Sequence, residues 1–231
     1  MNMVIDEELL FSSGAELMNY AGGDIIFKEN DQPKYYFQIK TGTVKINNYY
    51  EDGREIIHSV PFEGHCIAES FLFIDKRYPV NAIAMGICEI IRLDKNKFME
   101  LIGSLPHLLP KLCSYTTERM YYRHVMMNNL STPDPGTKEK RVMDCLKSYN
   151  RYTDKYSYQF PFTRQNLASL TGLCVETVIR IVKKMEKEKT VRIQNGKIFY
   201  LPFLNCPESL DEIIQLYHLY YWNLFNLFFV L

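Results

Sequence analysis

Hydrophobic positions change period along the chain, and the changes divide it. Over residues 1–20, Leu9, Leu10, Phe11, Leu17 and Met18 form a short amphipathic lead-in that reads as a helix. From 22 to 93 short runs rich in Ile, Val, Phe and Tyr take over, at 24–27, 35–40, 43–50, 55–60, 81–85 and 89–93. Asn30-Asp31, Gly42, Asp52-Gly53, Gly64 and Gly86 punctuate them, and Asp52-Gly53 between alternating residues signals a hairpin. Many short strands at near-regular spacing predict an antiparallel β-barrel or jelly roll, wide enough inside for one small ligand. Residues 94–102 then read as a helix, and a longer one follows Pro106 and Pro110 and runs to about Leu130.

Along that longer helix Leu108, Leu112, Tyr115, Arg119, Tyr122 and Met126 fall at spacings of four and three, the stripe of a helix that pairs with a copy of itself. Leu109, Thr116, Arg123 and Leu130 offer a second register, and an intramolecular core helix is the alternative reading. Ser131-Thr132-Pro133-Asp134-Pro135-Gly136 breaks the pattern as a hinge. A new helix starts near Lys138 with Val142, Met143, Cys145 and Leu146 inward, and 156–162 reads as a strand.

Residues 163–189 carry the clearest motif: two helices joined by a tight turn. Thr163 can cap the first, whose apolar face is Leu167, Ala168 and Leu170; Gly172 sits at the bend, where positive φ suits glycine. The second starts near Val175, with Val178, Ile181, Val182 and Met185 inward and Glu176, Arg180, Lys183, Lys184 and Lys187 outward. Ala168, Gly172 and Val178 have the spacing of a helix-turn-helix, although any helical hairpin in an ordinary core could share it. The sequence V-R-I-Q-N-G-K-I-F-Y follows, two strands about Asn195-Gly196, a type I′ hairpin. The fold class is thus α+β: an N-terminal antiparallel barrel or jelly roll at 1–105, a dimerisation helix and hinge at 106–132, a winged helix-turn-helix at 133–201, and an added apolar helix at 202–231.

Charge sharpens this division. The chain has 27 basic and 27 acidic residues, yet between Lys138 and Tyr200 there are 14 basic and 6 acidic ones, a local surplus of eight. A basic segment joined to an acidic one suits a nucleic-acid-binding domain beside one that does not bind. The six cysteines are scattered without a C-x-x-C, and residues 1–8 lack a basic leader, so buried free thiols in a reducing cytoplasm are expected. Between Gly64 and Val80, Glu69 stands among apolar residues with Ser70 beside it and Arg77-Tyr78 further on. A helical turn opening at Glu69 would aim amide N–H groups at an anion, the plain alternative being a surface loop with a solvated acid and base. Residues 213–231 lack Lys, Arg, Asp and Glu and hold seven aromatics, but Gln215, His218, Asn223 and Asn226 argue against a span, so a packed helix and no membrane contact is expected.

Three stretches carry a resemblance to the Crp/Fnr family of bacterial regulators. G-T-V-K-I-N-N-Y-Y-E-D-G-R-E-I-I resembles its barrel hairpin, G-H-C-I-A-E-S-F-L-F its G-x-x-x-G-E-x-x-L-F segment, and F-T-R-Q-N-L-A-S-L-T-G-L-C-V-E-T-V-I-R with I-Q-N-G-K-I-F-Y its DNA-binding signature. The resemblance covers roughly residues 20 to 201. It implies a homodimer on double-stranded palindromic DNA, with Glu176, Arg180, Val175 and Ile179 at the base edges. Glu176 can accept from cytosine N4, and Arg180 can donate twice to guanine O6 and N7. Thr163, Arg164, Gln165, Lys183, Lys184 and Lys197 fall at phosphate-contacting positions. V-E-T-V-I-R is nearer the Fnr branch, implying TTGA-like half-sites, although Ile179 replaces a small polar residue there. RNA polymerase is left open as a partner.

The departures concern the effector. Cyclic-AMP binders hold the phosphate with an arginine followed by a serine, and the ribose with a glutamate. Here the glutamate is Glu69, the glycine before it is Ala68, and Tyr78-Pro79 falls at the arginine-serine position with Arg77 one residue out of register. Tight cyclic-AMP binding is not expected. The expected effector pocket is Glu69, Ser70, Arg77 and Tyr78, for an unknown small molecule or none. No cysteine precedes Cys66, which argues against an iron–sulfur cluster, and His58 and His65 read as ordinary surface or core histidines, not haem ligands. No cofactor and no metal are expected. No nucleophile elbow, phosphate-cradling loop or metal spacing supports an enzyme. A ligand-sensing module that acts through protein partners is the remaining alternative.

Overall fold

A computed structural model of the chain describes residues 3–149, 158–160 and 162–200. The described residues form two compact units, one comprising residues 3–142 with 162–181, the other drawn from 143–149, 158–160 and 182–200. The expected apolar helix at 202–231 lies outside the described residues.

The first unit is built on eight strands: β1 (Glu16–Tyr20), β2 (Ile25–Phe27), β3 (Tyr35–Thr41), β4 (Val44–Tyr49), β5 (Glu55–Ser59), β6 (Cys66–Ile67), β7 (Asn81–Ala84) and β8 (Cys88–Asp94). They make two antiparallel four-stranded sheets, in the orders β1-β8-β3-β6 and β2-β7-β4-β5. Phe27, Phe37, Ile39, Val44, Ile46, Ile67, Ala82 and Ile90 pack between them. β3 is buried on both faces. Phe37 and Ile39 enter that inner core, whereas Tyr36 faces a second cluster with Val4, Ile5, Leu10, Leu93, Phe98, Leu108 and Leu112. Gln38, between Phe37 and Ile39, is buried as well, its side-chain amide accepting the Ile5 N–H at 2.9 Å and donating to Ile5 O at 2.8 Å.

The Asp52-Gly53 signal does mark the β4–β5 hairpin, but with a three-residue loop. Tyr50 O accepts the Gly53 N–H at 2.9 Å, Gly53 takes φ +81°, and Tyr50 N–H closes on Arg54 O at 2.8 Å. Gly42 joins β3 to β4 with φ +96°, where an added Cβ would lie 2.6 Å from both Cys88 Sγ and Ile87 O.

The lead-in corrects the sequence reading. Helix α1 covers only Glu7–Ser12; Asp6 caps it by accepting from the Glu8 and Leu9 amides, and Gly14 at φ +86° ends it. Residues 16–20 are instead β1, paired with β8, and Arg92 of β8 meets Glu16 at 2.6 Å. The adjacent Leu17 and Met18 mimic a helical face; partnership along a sheet edge decides otherwise.

Helix α2 (Lys95–Ser104) is capped by Asp94, and α3 (Leu108–Leu130) follows. Helix α4 begins at Pro135, three residues before the start expected from sequence, and runs to Tyr149. Proline is well placed in a first turn, where its missing N–H would lack a partner anyway. Helices α5 (Arg164–Thr171) and α6 (Val175–Lys187), and strands β9 (Tyr158–Phe160), β10 (Val191–Gln194) and β11 (Lys197–Tyr200), complete the description, with sheet order β10-β11-β9. Among the described residues no helix is long and apolar enough to cross a membrane.

Candidate nucleic-acid interface and barrel site

The helix-turn-helix starts with a reciprocal cap. Thr163 Oγ1 accepts the Asn166 amide at 3.1 Å, while Asn166 Oδ1 accepts the Thr163 amide at 3.0 Å. Helix α5 buries Leu167, Ala168 and Leu170. Its last turn closes where Gly172 at φ +69° donates to Ala168 O at 2.9 Å. After this left-handed cap, Cys174 O accepts the Val178 amide at 3.1 Å and α6 begins. Val178 is fully buried, which fixes the second helix against the first.

The opposite face of α6 is open. Glu176, Ile179 and Arg180 are exposed, and Val175 is half-buried. Glu176 and Arg180, four residues apart on one helix, share a side. Thr163 and Gln165 are also exposed, and Arg164 is half-buried. Glu176 in the first turn and Lys184 and Lys187 in the last complement the helix dipole.

In the second unit Lys183, Lys184 and Lys197 are exposed, and Lys184 stands 3.8 Å from Glu188. Asn195 and Gly196 take φ +50° and +75°, the two left-handed residues that a type I′ turn requires between β10 and β11. Tyr200, fully buried, bonds through its hydroxyl to Asp144 of α4, and Lys147 Nζ donates to Tyr200 O at 3.4 Å.

Glu69 does open a helical turn, the 3₁₀ segment Glu69–Phe73, behind Ala68 at φ +58°. That left-handed Ala68 stands where the family pattern has glycine, which explains the pattern physically. The turn is not an open anion site. The Glu69 carboxylate is buried and faces α3, where it accepts from Arg119 Nη1 at 2.7 Å and Thr116 Oγ1 at 3.1 Å. Arg119 Nη1 and the Tyr115 hydroxyl also donate to Cys66 O, at 3.2 and 3.0 Å.

The four residues expected to line an effector pocket do not converge on one opening. Ser70 and Arg77 are exposed, and Arg77 Nη1 donates to Asn30 O at 2.7 Å. Tyr78 is buried and stacks on Phe27 with ring centroids 4.0 Å apart. Its hydroxyl has no partner, and burial pushes its proton affinity well up. The reason lies in alternation about Tyr78: the tyrosine turns in and its neighbours Arg77 and Pro79 turn out.

His65 is buried against Phe62 and Tyr115; burial, then the nearby Arg119 guanidinium, pushes it down to about 4. His58 is exposed, with Nε2 2.7 Å from Asn48 Oδ1. Cys66, Cys88 and Cys145 are buried free thiols, but Cys113 and Cys174 are exposed, contrary to expectation, because they sit on the outer sides of a helix and a turn. Among the described residues no group of three or more His, Cys, Asp or Glu is placed to hold a metal.

The stripe expected to pair α3 with its copy needs correction along its first half. Leu108 and Leu112 are buried in the chain's own core, and Tyr115 and Arg119 bond to the barrel. The exposed apolar residues of α3 are Leu109, Met120, Tyr121 and Met127; of these Leu109 belongs to the second register, and Met120 and Met127 continue its face at spacings of four and seven. Sequence spacing shows a stripe but not which of two packing partners takes it.

A β-barrel of two four-stranded sheets, followed along the chain by a winged helix-turn-helix, defines the class: a regulator with a DNA-binding domain of that type. The comparisons agree. The cyclic nucleotide-binding domain family matches residues 17–104, and the Crp-like helix-turn-helix domain family matches 140–202. Over 183 residues the chain is 25% identical to the cAMP-activated global transcriptional regulator CRP of Salmonella typhimurium, covering 78% of this chain and 87% of that one. It is 22% identical over 188 residues to the nitrogen fixation regulation protein FixK of Bradyrhizobium diazoefficiens, covering 80% and 77%. Among solved structures, the c-di-GMP responsive regulator CLP of Xanthomonas campestris superposes with a TM-score of 0.68 at 19% identity, over 86% of this chain and all of that one. CooA of Carboxydothermus hydrogenoformans gives 0.72 at 15% identity, over 92% and 95%. The chain belongs to the Crp/Fnr family and is a transcriptional regulator of that type.

Proposed function

We propose that the chain works as a homodimer that reads palindromic double-stranded DNA through Glu176 and Arg180, and that it does so without cyclic AMP. The observation that carries the reading is the polarity of α6: Val178 is sealed in the core while Glu176, Ile179 and Arg180 stand exposed. Glu176 accepts from cytosine and Arg180 makes a bidentate contact to guanine, with Val175 and Ile179 against the neighbouring bases. Thr163, Arg164, Gln165, Lys183, Lys184 and Lys197 meet phosphates and supply affinity that is blind to sequence. TTGA-like half-sites are the sequences this set favours.

Pairing runs along α3 through Leu109, Met120 and Met127, the exposed register of that helix. The barrel takes an effector other than cyclic AMP or none, because Glu69 is engaged by Arg119 and Tyr78 occupies the barrel interior. The domain boundaries 1–105, 106–132 and 133–201 follow this division of labour. The site of action is the cytoplasm, where RNA polymerase is within reach.

Selection of bound duplexes from a random pool tests the DNA reading. A palindrome with half-sites one helical turn apart is the expected result; recovery of unrelated sequences, or a footprint on a single half-site, would contradict it. Titration calorimetry with cyclic AMP tests the effector reading, and micromolar or tighter binding would overturn it.

A further inference from the structure

The sheet β2-β7-β4-β5 is enclosed on a side where an antiparallel barrel sheet commonly meets water. Val44 and Ile46 of β4 and Ala82 and Ala84 of β7 point into the inner core. By alternation Lys45, Asn47 and Ile83 point outward, and Ile57 of β5 joins them because it lies opposite Asn47. Glu55 is on that side too, since its carboxylate meets Lys45 Nζ at 2.6 Å and accepts from Asn47 Nδ2. Yet Asn47 is 0% exposed, Ile57 2% and Ile83 6%. Outward residues so deeply buried have another element packed over them.

Over β5 that element is α5, the first helix of the helix-turn-helix. Cα atoms of α5 and β5 come within 8 Å of each other, inside the first unit. The barrel interior is filled by its own side chains, so α5 lies on the outer side of β5. At so short a separation the side chains in between must be small. The helix agrees. At about 3.6 residues per turn, Leu167, Leu170 and Thr171 share one side of α5 and Ser169 falls on the other. A free-standing helix-turn-helix would leave Ser169 wet, but it is 5% exposed. Ser169 is a small residue on the side of α5 that its own apolar face does not use.

The joint is polar for an interior. Asn47 Oδ1 is buried without a partner, and the Lys45–Glu55 pair is largely enclosed beside it. An unpaired acceptor regains its hydrogen bonds to water when the cover lifts, which favours a contact that can open.

We propose that β5 and α5 form a clasp that ties the helix-turn-helix directly to the barrel, by a route separate from the hinge at 131–136. With the clasp closed, Thr163, Gln165, Glu176, Ile179 and Arg180 are exposed, so this arrangement leaves the reading side uncovered. Holding α5 in place removes orientational freedom that DNA binding would otherwise have to quench. That last consequence alone rests on the DNA reading above.

Ser169→Gln in the full-length protein tests the clasp. Glutamine adds bulk without charge on the side of α5 away from Leu167 and Leu170, and it is a good helix former. Hydrogen–deuterium exchange over residues 55–59, far from the substitution in sequence, should rise several-fold, together with exchange over 164–171, while β3 keeps its parental rates. Parental exchange at 55–59 overturns the clasp, and so does an equal rise in β3, which would mean general loosening. Should Ser169→Gln fail to fold, Asn47→Asp approaches from the other side by placing a second carboxylate beside Glu55. Exchange over 164–171 should then rise although α5 is unaltered, and no rise there overturns the proposal. Neither arm uses DNA. On the DNA reading, Ser169→Gln should also weaken binding to the selected palindrome several-fold without changing the ranking of duplexes. Raised exchange with parental affinity overturns the link to DNA binding. A parent that binds no duplex refutes the DNA reading instead, and the exchange results still decide the clasp.

Discussion

Arg119 Nη1 lies 2.7 Å from Glu69 Oε2, and this contact joins the middle of α3 to the barrel's 3₁₀ turn. The carboxylate is almost fully enclosed, with 2% of its side chain exposed against 21% for the arginine. Removing the arginine leaves a buried charge that Thr116 alone cannot satisfy. Arg119→Ala should therefore destabilise the fold by about 3 kcal/mol, in the range for breaking a buried pair. Adding Glu69→Gln to Arg119→Ala should restore part of that loss, since the orphaned charge goes with it. Urea unfolding of both single variants and the double one gives the coupling; additive losses would mean that the pair is not coupled.

Tyr78 makes the opposite case, a polar atom whose removal should help. Its ring stacks on Phe27, but its hydroxyl is buried with no partner. Tyr78→Phe keeps the ring and lifts a desolvation penalty, so it should stabilise by about 1 kcal/mol. Tyr78→Ala removes the ring as well and should cost about 3–5 kcal/mol through the cavity it leaves. Thermal unfolding of the two variants separates ring from hydroxyl. A destabilised Tyr78→Phe would show that the hydroxyl has a partner in solution.

Much of this was legible in the sequence, and the failures share a cause. The helix-turn-helix could be read at Thr163, Ala168, Gly172 and Val178 because each answers a local demand: a cap, a close approach, a left-handed bend, a lock. Asn195-Gly196 is of the same kind. β1 and β6 were not legible. β1 is held by pairing with Arg92 and its neighbours on β8, and β6 is two residues long and fixed by Phe37 and Gln38 of β3. Nothing local in Glu16–Tyr20 or Cys66–Ile67 specifies those partners. The barrel site shows the same limit. The residue type of Glu69 and its helical turn were readable, but its engagement by Arg119 spans 50 positions of chain.

His65 and Glu139 supply pH effects of opposite sign: burial pushes the fully buried Glu139 carboxyl up to about 7, so the stability linked to its proton is complete below about 4.5 and lost as the pH rises past about 7. Burial and Arg119 hold the His65 imidazole down at about 4, against an ordinary 6.5. The unfolded chain thus binds the proton more readily, so the stabilisation is complete above about 6.5 and is lost as the pH falls toward 4. The full loss is on the order of 3 kcal/mol. Between 4.5 and 6.5 this runs against the effect of Glu139, and the parent should show a shallow profile. His65→Gln should unmask a stability that rises as the medium becomes acid, followed by circular dichroism in urea. Glu139→Gln should unmask the reverse. Parallel profiles for the two variants would refute the pair of assignments.

At the DNA the prediction is a contrast between two residues of one helix. Arg180 and Lys183 are both exposed on α6; on the function proposed above the first reads a base edge and the second neutralises a phosphate. Arg180→Ala should cost about 1–3 kcal/mol on the preferred site and relax discrimination at one guanine. Lys183→Ala should weaken every duplex about equally and reduce the slope of log affinity against log salt by about 1. Fluorescence anisotropy on the selected palindrome, on single-base variants of it and on an unrelated duplex, each at several salt concentrations, measures both. Arg180 is the sharper test, because a phosphate contact cannot change base preference directly. If Arg180→Ala ranks the duplexes as the parent does, α6 does not read bases through that side chain.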